Sequence, residues 1–143
     1  MAANTTPISP LTPTALAWAT SAITTGNTAL TGAGTPDTDI KLIMTAGANG
    51  ARVNRVRVIH RGTNVATVMR FFVNNGSTNG TASNNSLVAE ATMVANTLST
   101  TLASTAVDVS LNMVLAAGYR LYYTIHTGVA AGFSVTCPDA GDY

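Results

Sequence analysis

The chain has 143 residues, a length that suits one domain with a sizeable core. Apolar residues make up 46% of it and charged residues only 9%, against about 25% in an ordinary soluble domain, so Thr, Asn and Ser supply much of its polar surface. A formal net charge of +1 provides no global field to draw in nucleic acid or an anionic membrane, and no apolar run approaches the roughly 20 residues of a membrane helix.

Hydroxyls and amides cost far less to bury than ions, which suits a protein packed against neighbours. A β-rich domain carrying Thr on its strands accounts for the same composition. The single cysteine, Cys137, excludes an internal disulfide. The stretch Met1-Ala2-Ala3-Asn4-Thr5-Thr6-Pro7 lacks the basic and apolar regions of a secretion signal, so synthesis in the cytoplasm without export is expected.

Residues 1–20 read as an extended N-terminal arm, with a domain over 21–143. Pro7, Pro10 and Pro13 recur every third residue among Thr and Ser, which favours a polyproline-like path. Leu16, Ala17 and Trp18 then form a short apolar anchor expected to dock on a surface; a disordered terminus is the competing reading. The best helical candidate, Ala15–Thr20, is short.

Beyond the arm the pattern is strands separated by Gly, Asn, Ser and Thr. Strands are expected over 20–24, 39–45, 51–60, 66–74, 86–94, 106–112, 119–127 and 132–137. Alternation is clearest in Val107, Val109 and Leu111, in Leu121, Tyr123 and Ile125, and in Phe133, Val135 and Cys137. Leu87, Val88, Ala91, Val94, Ala95 and Leu98 also fall near helical spacing, but the surrounding grammar favours a strand over 86–94. Asn49-Gly50, Asn75-Gly76 and Asn79-Gly80 are expected to supply the positive φ of tight turns. Ala116-Ala117-Gly118 and residues 128–132 look like hairpin connections. Seven or eight such strands predict an all-β fold: an antiparallel two-sheet β-sandwich, jelly-roll-like, with an extended arm.

Catalysis needs convergent titratable groups, and none are visible. Asp37 and Asp39 share one side of an extended chain, too few oxygens for calcium. Glu90 and Asp108 are the only mid-strand acids, and nothing in the sequence makes them face each other as a glycosidase requires. His60 and His126 have no partner at metal-ligand spacing. Cys137, followed by Pro138, reads as a packed apolar residue. The expectation is a protein with no catalytic residues, no metal and no cofactor.

The one concentration of charge is basic: Arg52, Arg55, Arg57 and Arg61, with Arg70 on the next strand. Strict alternation puts Arg55 and Arg57 on one face with Val53 and Ile59, and Val56 and Val58 on the other. Arginine suits protein interfaces, because its planar fork binds carboxylates and carbonyls and its plane stacks. A solvated edge and a nucleic-acid contact are the rival readings; the latter lacks interleaved aromatics and a supporting net charge. The candidate partner-binding residues are therefore Pro7, Pro10, Pro13, Trp18, Arg52, Arg55, Arg57, Arg61 and Arg70.

Several stretches carry a family likeness. Residues Ile43-Met44-Thr45-Ala46-Gly47-Ala48-Asn49-Gly50-Ala51-Arg52-Val53 lead into Val56-Arg57-Val58. Gly62-Thr63-Asn64 and Met69-Arg70-Phe71-Phe72-Val73 follow, then Ala117-Gly118-Tyr119-Arg120-Leu121 and a terminal Gly141-Asp142-Tyr143. Over residues 28–143 this order resembles small virion structural proteins of tailed bacteriophages, of the capsid decoration or cement type. The resemblance implies a β-sandwich present in many copies on the capsid exterior, bridging subunits of the major capsid protein against internal DNA pressure. The arm does not map onto that family.

The expected function is accordingly non-enzymatic: decoration and stabilisation of a phage head, with self-association as dimers or trimers and no nucleic-acid or membrane partner. The alternative is a tail or head-fibre component that contacts the host surface. Its sugar-binding form would want exposed Trp and Tyr near polar loops, whereas Trp18 stands in the arm, far in sequence from Tyr119, Tyr122 and Tyr123.

Overall fold

The computed structural model describes residues 17–143 together with the backbone of Thr12 and Pro13. Ten strands run in chain order: β1 (Thr12–Pro13), β2 (Ala17–Trp18), β3 (Lys41–Thr45), β4 (Ala51–His60), β5 (Thr67–Asn74), β6 (Asn85–Met93), β7 (Ala106–Leu115), β8 (Arg120–Ile125), β9 (Phe133–Cys137) and β10 (Ala140–Asp142). One 3-10 turn, Ala82–Asn84, precedes β6, and there is no α-helix among the described residues.

Two antiparallel sheets pack face to face. One has the order β3-β8-β5-β6. The other is built on β4, which pairs β7 along one edge and β9 and β10 along the other, with β2 outside β9 and β1 outside β10. Val58 faces Val135 and Val53 faces Ala140 in one unbroken register, so β9 and β10 act as a single strand interrupted at Pro138-Asp139. β1 and β2 continue one another along it in the same way. Reduced to four strands each, the sheets read β2-β9-β4-β7 and β3-β8-β5-β6. Consecutive strands are joined within a sheet at β1–β2, β5–β6 and β9–β10; every other connection between β2 and β9 crosses between the sheets. That is jelly-roll topology.

The strands from β3 to β9 lie where alternation and turn residues place them, and 86–94 is strand, not helix. Four expectations change. Residues 20–24 form no strand, although Ile23 there is buried. Residues 17–18 of the helical candidate are a strand instead, because β9 offers an open edge whose backbone groups a helix would leave unpaired. Residues 116–118 and 128–132 are not hairpin turns, since each joins strands of different sheets. Gly50 and Gly76 take φ of +87° and +89° as expected, but Gly80 is not among the positive-φ residues.

Between the sheets lie Val53, Val56 and Val58 of β4, Met69 and Phe71 of β5, Leu121, Tyr123 and Ile125 of β8, and Phe133, Val135 and Cys137 of β9. Ile40, Phe72 and Tyr122 are also buried but lie outside this cluster. Phe72 is covered by the long loop between β2 and β3, which crosses the outer face of the β3-β8-β5-β6 sheet. Asn27 anchors that loop: its backbone N–H donates to Ile125 O at 2.7 Å and its side-chain amide to Ala33 O at 3.0 Å. Further along, Asn79 donates to Gly32 O at 3.3 Å.

Gly32 sits at φ +65° directly over the Phe72 ring, where a Cβ would lie 2.5 Å from Cδ1. Gly32→Ala therefore combines backbone strain with a steric overlap and is expected to cost about 2–4 kcal/mol in urea unfolding. In a Phe72→Ala background the same substitution is expected to cost less, because the overlap is gone while the φ strain remains.

Candidate interaction surface

The arginine strand is the first place to look for function, and its faces differ from strict alternation. The β4–β7 ladder shifts register between Val53 and Arg55, leaving Asn54 and Arg55 as consecutive half-buried residues. Val53 thereby turns inward with Val56 and Val58, correcting its expected place beside Arg55 and Arg57. Asn112 on β7, at φ +47°, lies within the same irregularity. Bulges of this kind re-aim side chains, and this one gathers Arg52, Asn54, Arg55 and Arg57 on the outer face.

On that face the charges are paired. Arg57 grips Asp108 with both arms of its fork, Nε to Oδ1 and Nη2 to Oδ2, each at 2.9 Å. Arg55 Nε donates to Asp139 Oδ2 at 2.6 Å and its Nη1 reaches Asp108 Oδ2 at 3.4 Å. Arg52 Nε donates to Asn54 Oδ1 at 2.8 Å. The hydrogen bond from Arg57 holds the Asp108 carboxyl below its ordinary value, and the same contact raises the Arg57 guanidinium. Two aspartates thus offset Arg55 and Arg57, and the face is polar without being strongly cationic.

The other named residues scatter. Arg61 is exposed at the end of the sandwich. Arg70 belongs to the opposite sheet, where it is buried, donating Nε to Glu90 Oε1 at 2.7 Å and meeting His126 Nδ1 at 3.1 Å. Its separation from the β4 arginines follows from the sheet change between β4 and β5. Pro7 and Pro10 lie outside the described residues. The backbone of Pro13 pairs with Gly141, and Trp18 pairs with Thr136, so the described part of the arm is edge strand of the chain's own sheet.

Two further surfaces emerge that the sequence did not single out. At one end of the sandwich the β4–β5 and β6–β7 loops are laced together: Asn64 and Asn96 exchange backbone hydrogen bonds of 2.9 Å, and Leu98 N–H donates to Thr63 Oγ1 at 2.9 Å. This end exposes Val65, Val94, Leu98 (64%) and Leu102 (77%). Their polar neighbours in sequence hid them, since Leu98 and Leu102 stand in a Thr/Ser run that reads as ordinary loop. The second surface is a cleft between β2 and β3 lined by Trp18, Pro36, Asp37, Lys41, Leu42 and Tyr122. Only folding brings these together.

The candidate acids resolve as well. Asp37 pairs with Lys41, and Asp39 Oδ1 accepts the Thr35 N–H at 2.6 Å, closing a turn. Glu90 and Asp108 occupy opposite sheets and pair with different arginines. Among the described residues no three His, Cys, Asp or Glu side chains gather to hold a metal ion.

The strand order and these surfaces define the class: a jelly-roll β-sandwich with a paired arginine face, an apolar loop end and an aromatic cleft. Comparison with protein-family models, with curated proteins and with solved structures gives no match to the chain.

Two titratable groups yield tests. His60 is buried against Phe133, ring centroids 4.9 Å apart, and burial lowers its pKa from the ordinary 6.5. As pH falls below that value the unfolded chain takes up a proton that the folded state resists, so stability falls. Thermal stability is expected to fall from about pH 7 to about pH 5, and His60→Gln is expected to flatten that slope. The Asp108 contribution is a separate acid limb, present above the ordinary aspartate value of 3.8 and lost as pH falls below it.

Burial pushes the Cys137 thiol up to about 12, leaving almost no thiolate near neutrality. A disulfide reagent such as DTNB at mildly alkaline pH is expected to leave the native protein unmodified and to label one thiol per chain after denaturation.

Proposed function

We propose that this chain is a non-enzymatic virion structural subunit that decorates a phage head and stabilises it by bridging subunits of the major capsid protein. The observation that carries the reading is the apolar end of the sandwich. Val65, Val94, Leu98 and Leu102 face solvent on loops that are themselves well hydrogen-bonded. Large apolar side chains held outward together at one end of a domain point to a protein contact. The charge-paired face of β4 supports the same reading, because arginines already held by aspartates have little left for a polyanion. Jelly rolls serve capsids, lectins and enzymes alike, so the fold permits this function without selecting it.

Mechanistically, such a subunit adds buried surface across capsomer boundaries. Each contact is weak, but symmetry repeats it and attachment at one point raises the local concentration at the next, so many contacts resist outward pressure together. Self-association as dimers or trimers would multiply the effect.

The alternative, a tail or head-fibre component contacting the host, is favoured by one observation: Trp18 and Tyr122 meet in one cleft. Copy number separates the two. Band intensity in purified particles approaching that of the major shell protein supports decoration, while the level of a single tail ring overturns it. For the apolar end, a Leu98→Ser/Leu102→Ser variant is expected to fold normally and to occupy heads at least about tenfold more weakly. Unchanged occupancy would exclude that end as the contact.

A further inference from the structure

We infer that the cleft between β2 and β3 is a binding site for a neutral saccharide, whether the subunit stands on a head or on a tail. The cleft holds about 390 Å³, within the usual range of small-ligand pockets. Trp18, the only tryptophan of the chain, forms one wall and is 52% exposed. Alternation explains its outward aim, since Ala17 and Ala19 on either side pack against the core. Leu42 and Tyr122, directly paired across β3 and β8, form the other wall.

The polar side of the cleft is built with care for geometry. Lys41 is buried; its Nζ donates to Ser21 Oγ at 2.7 Å and pairs with Oδ1 of Asp37. The Asp37 side chain is nevertheless 72% exposed, and its Oδ2 accepts no hydrogen bond among the described residues. Asp37 also adopts φ +63°, a conformation unfavourable to a non-glycine residue. It is fixed there by a 2.9 Å hydrogen bond from its N–H to Ile40 O. A carboxylate oxygen is thus held in place with acceptor capacity facing solvent, beside an exposed indole.

Those features select a ligand with one apolar face and a hydroxyl edge. A pyranose ring offers C–H groups to lie against the indole and hydroxyls to donate to Asp37 in charge-assisted hydrogen bonds. Free anions fit poorly, because the Lys41 ammonium is buried and already shared between Asp37 and Ser21. Cations gain little from a carboxylate already neutralised. A proline-rich peptide would use the aromatic walls but offers no N–H at its prolines to satisfy Asp37.

The single tryptophan is its own reporter. Titration of the full chain with glucose, galactose, mannose, rhamnose and N-acetylglucosamine is expected to give a saturable change in Trp18 emission for at least one, with Kd about millimolar. Backbone amide shifts on the unmodified protein are expected to map to residues 18–20, 37–43 and 122. By calorimetry, Trp18→Ala is expected to abolish binding and Asp37→Asn, which tolerates the same backbone, to weaken it at least about tenfold. Trp18→Phe is expected to keep part of the affinity, so loss of the ring is distinguished from loss of fold. Absence of saturable binding to every sugar, shifts mapping elsewhere, or undiminished binding by folded Trp18→Ala would overturn the site. Preferential binding of inorganic phosphate or of a peptide of residues 1–11 would overturn the ligand class.

Discussion

Strand β4 is the member on which the rest of the structure depends. Its ten residues are paired along both edges, to β7 on one side and to β9 and β10 on the other. Its inner row, Ala51, Val53, Val56, Val58 and His60, is buried, with its four apolar members in the inter-sheet core. A strand held on two edges and one face has only its outer side chains free to vary, and on β4 those are Arg52, Asn54, Arg55, Arg57 and Ile59. The charge network with Asp108 and Asp139 exists because both ladders hold register there. A one-residue slip would send three arginines into the core, where unpaired charge is very costly.

The same strand shows how a local irregularity shapes a surface. The register shift near Asn54 lets two consecutive residues point outward, close to the Pro138-Asp139 break between β9 and β10. Arg55 and Asp139 meet where both strands depart from regular alternation. Exposed ion pairs of this sort contribute little to stability; their consequence is a surface that is neither apolar nor strongly charged.

The opposite sheet solves a different problem. Its outer face is covered at Phe72 by the loop between β2 and β3, so both faces of that sheet are partly dry. Burial on both sides leaves polar atoms to be satisfied, and among the described residues Thr124 Oγ1 and Asn79 Oδ1 have no hydrogen-bond partner. The Tyr123 hydroxyl is held up to about 12 by that burial. The loop also carries Pro36 and Asp37 to the edge where Trp18 waits, so the covering of a sheet and the making of the aromatic cleft are one structural event.

Seven of the ten strands were legible in the chain, because period-two alternation and Asn-Gly or Ala-Gly turns are local signals. Val107, Val109 and Leu111, or Phe133, Val135 and Cys137, announce a strand without reference to anything else. The two-sheet, all-β class follows from the number and spacing of such segments. What tertiary structure alone decided was everything that depends on a distant partner. β1, β2 and β10 have two or three residues each, too few for any period, and exist only because neighbouring edges supply their hydrogen bonds. Val53 changed face because of a ladder irregularity. Trp18 and Tyr122, more than a hundred positions apart, became neighbours because two sheet edges converge. Alternation is a property of one strand, whereas register, pairing and convergence are properties of two, and no single stretch of sequence contains both.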